Sequence, residues 1–139
     1  MQDLAAFINN HLALSYGFSL VFAMLLFVEF LRNKRMSFHI SPTRAIQLIN
    51  HESANVVDLR HADDFRKGHI VNASTMQISE INEGSKKLEK FKSKPLILVC
   101  QRGLESQKMA AKLLKQGYNV YSLAGGIGAW TNANLPLVK

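Results

Sequence analysis

The sequence is short of several things at once. Cys100 is its single cysteine, so neither an internal disulfide nor a cysteine-rich metal site can form. One thiol in a whole chain also suits a reducing compartment. No lysine or arginine precedes Arg32, and Asp3 and Glu29 are the only acids before it. The histidines at 11, 39, 51 and 61 have no metal-ligand spacing. Internal repeats and low-complexity tracts are absent. The lysines at 86, 87, 90, 92 and 94 lack the interleaved aromatics and reader motifs of a nucleic-acid interface, so no nucleic acid is expected as a partner. They read instead as a solvated helix face that favours an anionic membrane surface. At 139 residues the chain has room for one domain of ordinary size and not for two.

What the N-terminal part does have is a long apolar run, LALSYGFSLVFAMLLFVEFL, from Leu12 to Leu31. Twenty helical residues span about 30 Å, the thickness of a bilayer's hydrocarbon core. The basic residues Arg32, Lys34 and Arg35 follow the run, which is the reverse of a cleavable signal peptide. Positive charge stays on the cytoplasmic side, so the expected arrangement is single-pass in the inner (cytoplasmic) membrane, N-terminus outside. Glu29 lies near the cytoplasmic end, within reach of Arg32 or Arg35. The expected organisation is a tail at 1–11, a transmembrane helix at 12–31, a basic linker at 32–37 and a cytoplasmic domain at 38–139. Ser15, Gly17, Ser19 and Ala23 are small enough to pack against a helix of a membrane-protein partner.

Beyond the run, strand and helix signals alternate. Ser41-Pro42 caps a helix predicted over 42–50, with Ala45, Ile46 and Ile49 at helical spacing. Strands are predicted at 55–59, 74–78, 95–99 and within 118–123. A helical turn is expected at 63–67 closed by Gly68, and helices at 81–91 (weakened by Gly84), at 106–116 closed by Gly117, and after Gly125-Gly126 through Trp130. Alternation of this kind predicts an α/β fold, a mostly parallel sheet flanked by helices on both faces and preceded by one transmembrane helix. In such sheets the working residues lie beyond the strand C-termini.

Cys100 occupies that place. It ends the apolar run Pro95–Val99, and Gln101, Arg102, Gly103, Leu104 and Glu105 separate it from Ser106, which reads as the opening of a helix. Converging backbone N–H groups and a helix N-terminus favour the thiolate, which is the nucleophilic form. Gly103 suits a turn that needs positive φ or close backbone approach. Arg102 adds a positive charge that faces either substrate or solvent.

Three ordered motifs resemble the rhodanese-like domain, a sulfurtransferase family distantly related to Cdc25-type phosphatases. Val57-Asp58-Leu59-Arg60 with Asp64-Phe65-Arg66-Lys67-Gly68-His69-Ile70-Val71-Asn72-Ala73 is similar to D-x-R and E-F-x-x-G-H-I-x-G-A, with Asp64 for Glu and Asn72 for Gly. The loop Cys100–Glu105 is the second motif, and Leu123-Ala124-Gly125-Gly126-Ile127-Gly128-Ala129-Trp130 resembles L-x-G-G-x-x-A-W. The resemblance spans roughly 38–136. It implies a persulfide on Cys100, stabilised by amides from Gln101 to Ser106, with a small-molecule or protein persulfide as donor and a thiol or other nucleophile as acceptor. No cofactor or metal is implied. Asp58, Arg60 and His69 are expected in supporting, hydrogen-bonded roles, and Trp130 as a core anchor.

Related phosphatases use Cys-x5-Arg, and here that position is Ser106, so phosphatase chemistry is not expected. Family members active on thiosulfate usually carry Arg after the cysteine and a cation or Thr at the loop's end, where this chain has Gln101 and Glu105. Glu105 either faces the pocket, repelling anionic donors, or points outward from the first helical turn. Efficient thiosulfate turnover is therefore not expected. The same two residues support a competing expectation, a catalytically weak docking module tethered to the membrane.

Overall fold

A computed structural model describes residues 6–7, 10–36, 38–84 and 86–139, with the backbone alone for 33–36. Asp3 and the side chains of Lys34 and Arg35, named above, lie outside the described residues. The chain divides into two units, Met1–Ser37 and Phe38–Lys139.

The first unit contains helix α1, Leu12–Met36. Its segment Leu12–Arg32 is long and apolar enough to cross a membrane. Its apolar side chains project all round, with Leu14, Tyr16, Phe18 and Leu20 each roughly 70% exposed. The helix continues through residues 32–36, where no proline or glycine interrupts it. Glu29 pairs with Arg32 at 2.9 Å one turn on.

The second unit runs β1 (His39–Ile40), α2 (Pro42–Glu52), β2 (Asn55–Asp58), α3 (Ala62–Lys67), β3 (Ser74–Thr75), α4 (Ile78–Asn82), α5 (Lys86–Glu89), β4 (Leu96–Val99), α6 (Leu104–Lys115), β5 (Val120–Leu123) and α7 (Gly126–Asn132). The five strands form one parallel sheet in the order β1-β5-β4-β2-β3. Helix α2 starts where expected, its N-cap Ser41 Oγ accepting from Arg44 N–H at 3.3 Å with Pro42 in the first turn. The central strand β4 shows why its sequence is apolar throughout. Leu96 and Leu98 join one core cluster with Ile81, Leu88, Met109 and Leu113, and Ile97 and Val99 join the other with Leu48, Ile127 and Trp130. Both faces are thus covered, α4, α5 and α6 on one side and α2 and α7 on the other.

Two elements depart from expectation. The strand predicted at 74–78 shrinks to Ser74–Thr75, paired with Val57 and Asp58, because Gln77 and Glu80 form a capping box that starts α4 instead. The helix predicted at 81–91 is split into α4 and α5, with Gly84 at φ 69° between them.

Candidate active site

The chain leaves the sheet at Val99, whose carbonyl accepts from Leu59 N–H at 2.8 Å, and Cys100 follows at once, 3% exposed. Its carbonyl accepts from Ile127 N–H at 3.0 Å, and the Gln101 carbonyl accepts from Gly128 N–H at 3.4 Å. The loop is therefore held from behind by the start of α7. Backbone approach is so close that a Cβ on Gly126 would collide with the Cys100 carbonyl oxygen. Gly103, at φ 88°, would place a Cβ 2.9 Å from the Gly125 nitrogen. Both glycines are dictated by the same contact between the cysteine loop and the β5–α7 turn.

This turn aims donors at the sulfur. Gly103 N–H donates to Cys100 Sγ at 3.0 Å and Ser106 N–H donates at 3.4 Å. The Ser106 hydroxyl lies 3.4 Å from Sγ. The amides of Gln101, Arg102, Leu104 and Glu105 have no acceptor among the described residues. The two amides on Sγ and the N-terminus of the twelve-residue α6 favour negative charge on the sulfur.

Ser106 corrects an expectation. It does not open the helix; α6 begins at Leu104 with Gly103 as N-cap, and Ser106 sits fully buried in the first turn. Its hydroxyl donates back to the Gly103 carbonyl at 3.1 Å and meets Ser122 Oγ, also fully buried, at 3.0 Å. Ser122, on β5, was not singled out from the sequence. A lone serine in the run Val120–Leu123 is a signal only once its partner sixteen residues away is known.

Around the sulfur is a pocket of about 180 Å³ lined by Cys100, Gln101, Arg102, Leu104 and Glu105. Glu105 combines the two alternatives left open above, since it lies in the first turn of α6 and also lines the pocket. It has no ion-pair partner among the described residues. Gln101 and Glu105 also border a larger cleft of about 680 Å³, whose far wall includes Arg60, His61, Asp64 and Gln77.

The supporting residues separate. Asp58, 1% exposed, takes Arg60 in a two-pronged ion pair, Nε at 3.0 Å and Nη2 at 2.7 Å, and Nη2 also donates to the Gly68 carbonyl at 2.7 Å. This joins the end of β2 to the end of α3 and places Arg60 in the wall of the larger cleft. His69 is not brought to the cysteine pocket. Its Nδ1 lies 2.9 Å from the Phe65 carbonyl, its ring stacks on Phe65 at 3.8 Å, and its backbone pairs with Val138. Trp130 is buried, its Nε1–H donating to the Pro136 carbonyl at 3.1 Å.

Comparison with known proteins agrees with this geometry. The family model for the Rhodanese-like domain matches residues 41–133. The uncharacterized protein YibN of Escherichia coli K12 is 38% identical over 141 aligned positions, covering 100% of this chain and 99% of the relative. The thiosulfate sulfurtransferase GlpE of Shewanella oneidensis is 34% identical over 99 positions, covering 69% of this chain and 94% of that protein. Among solved structures, a rhodanese-related protein from Thermoplasma volcanium superposes with a TM-score of 0.64 at 26% identity, over 72% of this chain and 96% of its own. With its parallel sheet and its cysteine loop at the C-terminal end of the central strand, the chain belongs to the rhodanese-like domain family.

Proposed function

We propose that this chain is a membrane-anchored sulfur carrier that acts through a persulfide on Cys100. The observation that carries the reading is the pair of amide donors on Sγ, from Gly103 at 3.0 Å and Ser106 at 3.4 Å, at the start of α6. In the first step the Cys100 thiolate attacks the terminal sulfur of a persulfide R–S–SH. The S–S bond of the donor breaks, R–S⁻ departs with its electron pair, and Cys100–S–SH remains. In the second step an acceptor thiolate R′–S⁻ attacks the same terminal sulfur, and Cys100 leaves as thiolate while R′–S–SH is released. Neither step requires a general base once the cysteine is ionised. The relative in Shewanella oneidensis is a thiosulfate sulfurtransferase. For this chain we infer an uncharged or weakly charged persulfide donor, small or protein-borne. The pocket lining sets one cation, Arg102, against the Glu105 carboxylate, which has no ion-pair partner among the described residues, and so offers a dianion no net positive charge.

The test is intact-protein mass spectrometry of the full chain after incubation with an alkyl persulfide or with thiosulfate. One added sulfur is expected from the persulfide, and addition from thiosulfate about tenfold slower, the effect of one like charge near the reacting atom. No addition to the wild type, or equal addition to Cys100→Ser, removes the reading and leaves the docking-module alternative.

The anchor reading rests on α1, whose apolar surface is exposed on all sides and whose basic residues follow the apolar segment. It places Cys100 on the cytoplasmic side of the inner membrane, with lipid around residues 12–31. Because Cys100 is the sole cysteine, a small membrane-impermeant thiol reagent reports this directly. Labelling is expected in inverted vesicles and not in intact spheroplasts, and the opposite pattern would reverse the orientation.

A further inference from the structure

Behind the reactive sulfur lies a pair of hydroxyls with no contact to solvent. Ser106 and Ser122 are both 0% exposed, and their oxygens are 3.0 Å apart. Each hydroxyl has one proton, so the partners can be counted. Either oxygen could donate across this contact, but Ser122 Oγ has no other side-chain partner among the described residues whereas Ser106 Oγ has, so both protons are satisfied when Ser122 is the donor. Ser106 then accepts that bond and has its own proton to place. Two acceptors are in reach: the Gly103 carbonyl at 3.1 Å and Cys100 Sγ at 3.4 Å. The Gly103 carbonyl also accepts from Gln107 N–H at 3.2 Å, so it keeps a partner if the hydroxyl turns away.

The count differs between the two states of the sulfur. With Cys100 as a thiol, S–H donates to Ser106 Oγ, and the Ser106 hydroxyl donates to the Gly103 carbonyl. With Cys100 ionised, the S–H donor is gone and the Ser106 hydroxyl can turn to the sulfur, joining the amides of Gly103 and Ser106. In that second state Ser122 supplies the one hydrogen bond that Ser106 Oγ accepts. Without it, a fully buried oxygen would be left with no donor, and it would be left so only when the sulfur is charged.

We propose that Ser122 is a positioning residue for Cys100: by donating to Ser106 Oγ, it leaves the Ser106 hydroxyl free to donate to the ionised sulfur. It does not touch the reacting atoms itself. The proposal rests on Cys100 being the nucleophile, but not on which sulfur compound it uses.

The charged groups near the sulfur are few. Glu105 and Arg102 line its pocket, and the Asp58–Arg60 pair ends the neighbouring strand. Lys108, Lys112 and Lys115 lie on exposed positions of α6. Strand β1 sets His39 in register with Ser122, its Nε2 buried without a hydrogen-bond partner among the described residues and its pKa held below the usual histidine value by burial. Strand β5 and its lead-in bring the phenols of Tyr118 and Tyr121, and α7 brings no titratable side chain. Ser122→Ala removes none of these groups and adds no charge.

The test uses the full chain in detergent and the rate of iodoacetamide alkylation of its sole cysteine as a function of pH. Ser122→Ala is expected to raise the pH of half-maximal rate by about one unit, slowing alkylation near neutrality about tenfold, with the alkaline plateau unchanged. In a Ser106→Ala background the same substitution should produce no further shift, because its effect passes through the Ser106 hydroxyl. Superimposable profiles for wild type and Ser122→Ala would overturn the proposal. So would a lowered plateau at an unchanged midpoint, which marks a packing effect alone, or an equal shift in the Ser106→Ala background. Alkylation needs no sulfur donor. A shifted midpoint in a protein that fails the persulfide test would leave the role of Ser122 standing while removing the sulfur-carrier reading.

Discussion

Gly126→Ala is expected to destabilise the Phe38–Lys139 unit by about 3 kcal/mol or more, measured as a shift in its urea unfolding transition. Two effects add. The residue sits at φ 60°, where an L side chain meets its own backbone, and the new methyl would collide with the carbonyl oxygen of Cys100. A flexible side chain could move aside, but these neighbours are the backbone atoms of residues 100 and 101. The sheet holds that backbone on one side through Leu59 N–H, and α7 holds it on the other through Ile127 N–H. Relief therefore requires the cysteine loop and the β5–α7 turn to separate, which also breaks the bonds from Ile127 and Gly128. Sulfur loading should fall with stability. A destabilisation below about 1 kcal/mol would mean that the loop and turn part without strain.

Asp58→Ala should be equally damaging for a different reason. The Arg60 guanidinium has its charge partner in a carboxylate that is 1% exposed, and its own side chain is 8% exposed. Removing the acid leaves a largely buried cation with the Gly68 carbonyl as its remaining acceptor among the described residues. The expected loss is about 3–5 kcal/mol. The sharper comparison is with the double replacement Asp58→Leu with Arg60→Met, which removes both charges and should be less destabilising than Asp58→Ala alone. Equal losses from the single and double replacements would show that packing volume, and not the stranded charge, sets the effect. Since Arg60 also lines the larger cleft beside the cysteine pocket, the single variant should lose the shape of that cleft as it loses stability.

Much of this was legible in the residues themselves. Strand β4 announces itself by four consecutive apolar residues, and that composition is explained by a sheet buried on both faces. Cys100 at its end, Gly103 in the turn, and the Gly125-Gly126 pair were readable because backbone constraint leaves glycine few substitutes. What could not be read was set by tertiary contact or by competition between local signals. Ser106 is a residue type that caps helices, but Gly103 in a left-handed conformation takes that position and starts α6 two residues earlier than predicted. Residues 74–78 include the β-formers Thr75 and Ile78, yet the reciprocal Gln77–Glu80 cap turns the chain into α4. Ser122 gave no signal, because its partner comes from another element and its meaning lies in a proton count rather than in a pattern.

The strand order has a consequence for how the protein is made. The first strand, β1, has β5 as its neighbour in the sheet, with Ile40 in register with Leu123. The ribosome therefore delivers one edge of the sheet well before its partner, with β2, β3 and β4 made in between. Between the two events the newborn chain exposes an unpaired strand, while β2, β3 and β4 can already assemble. Closing so long a loop is slow relative to local pairing. The same later segment carries the Gly125-Gly126 turn that backs Cys100, so the cysteine loop gains that support only once residues 125–128 have been made. Until then the cysteine loop lacks the bonds from Ile127 and Gly128 that hold it from behind.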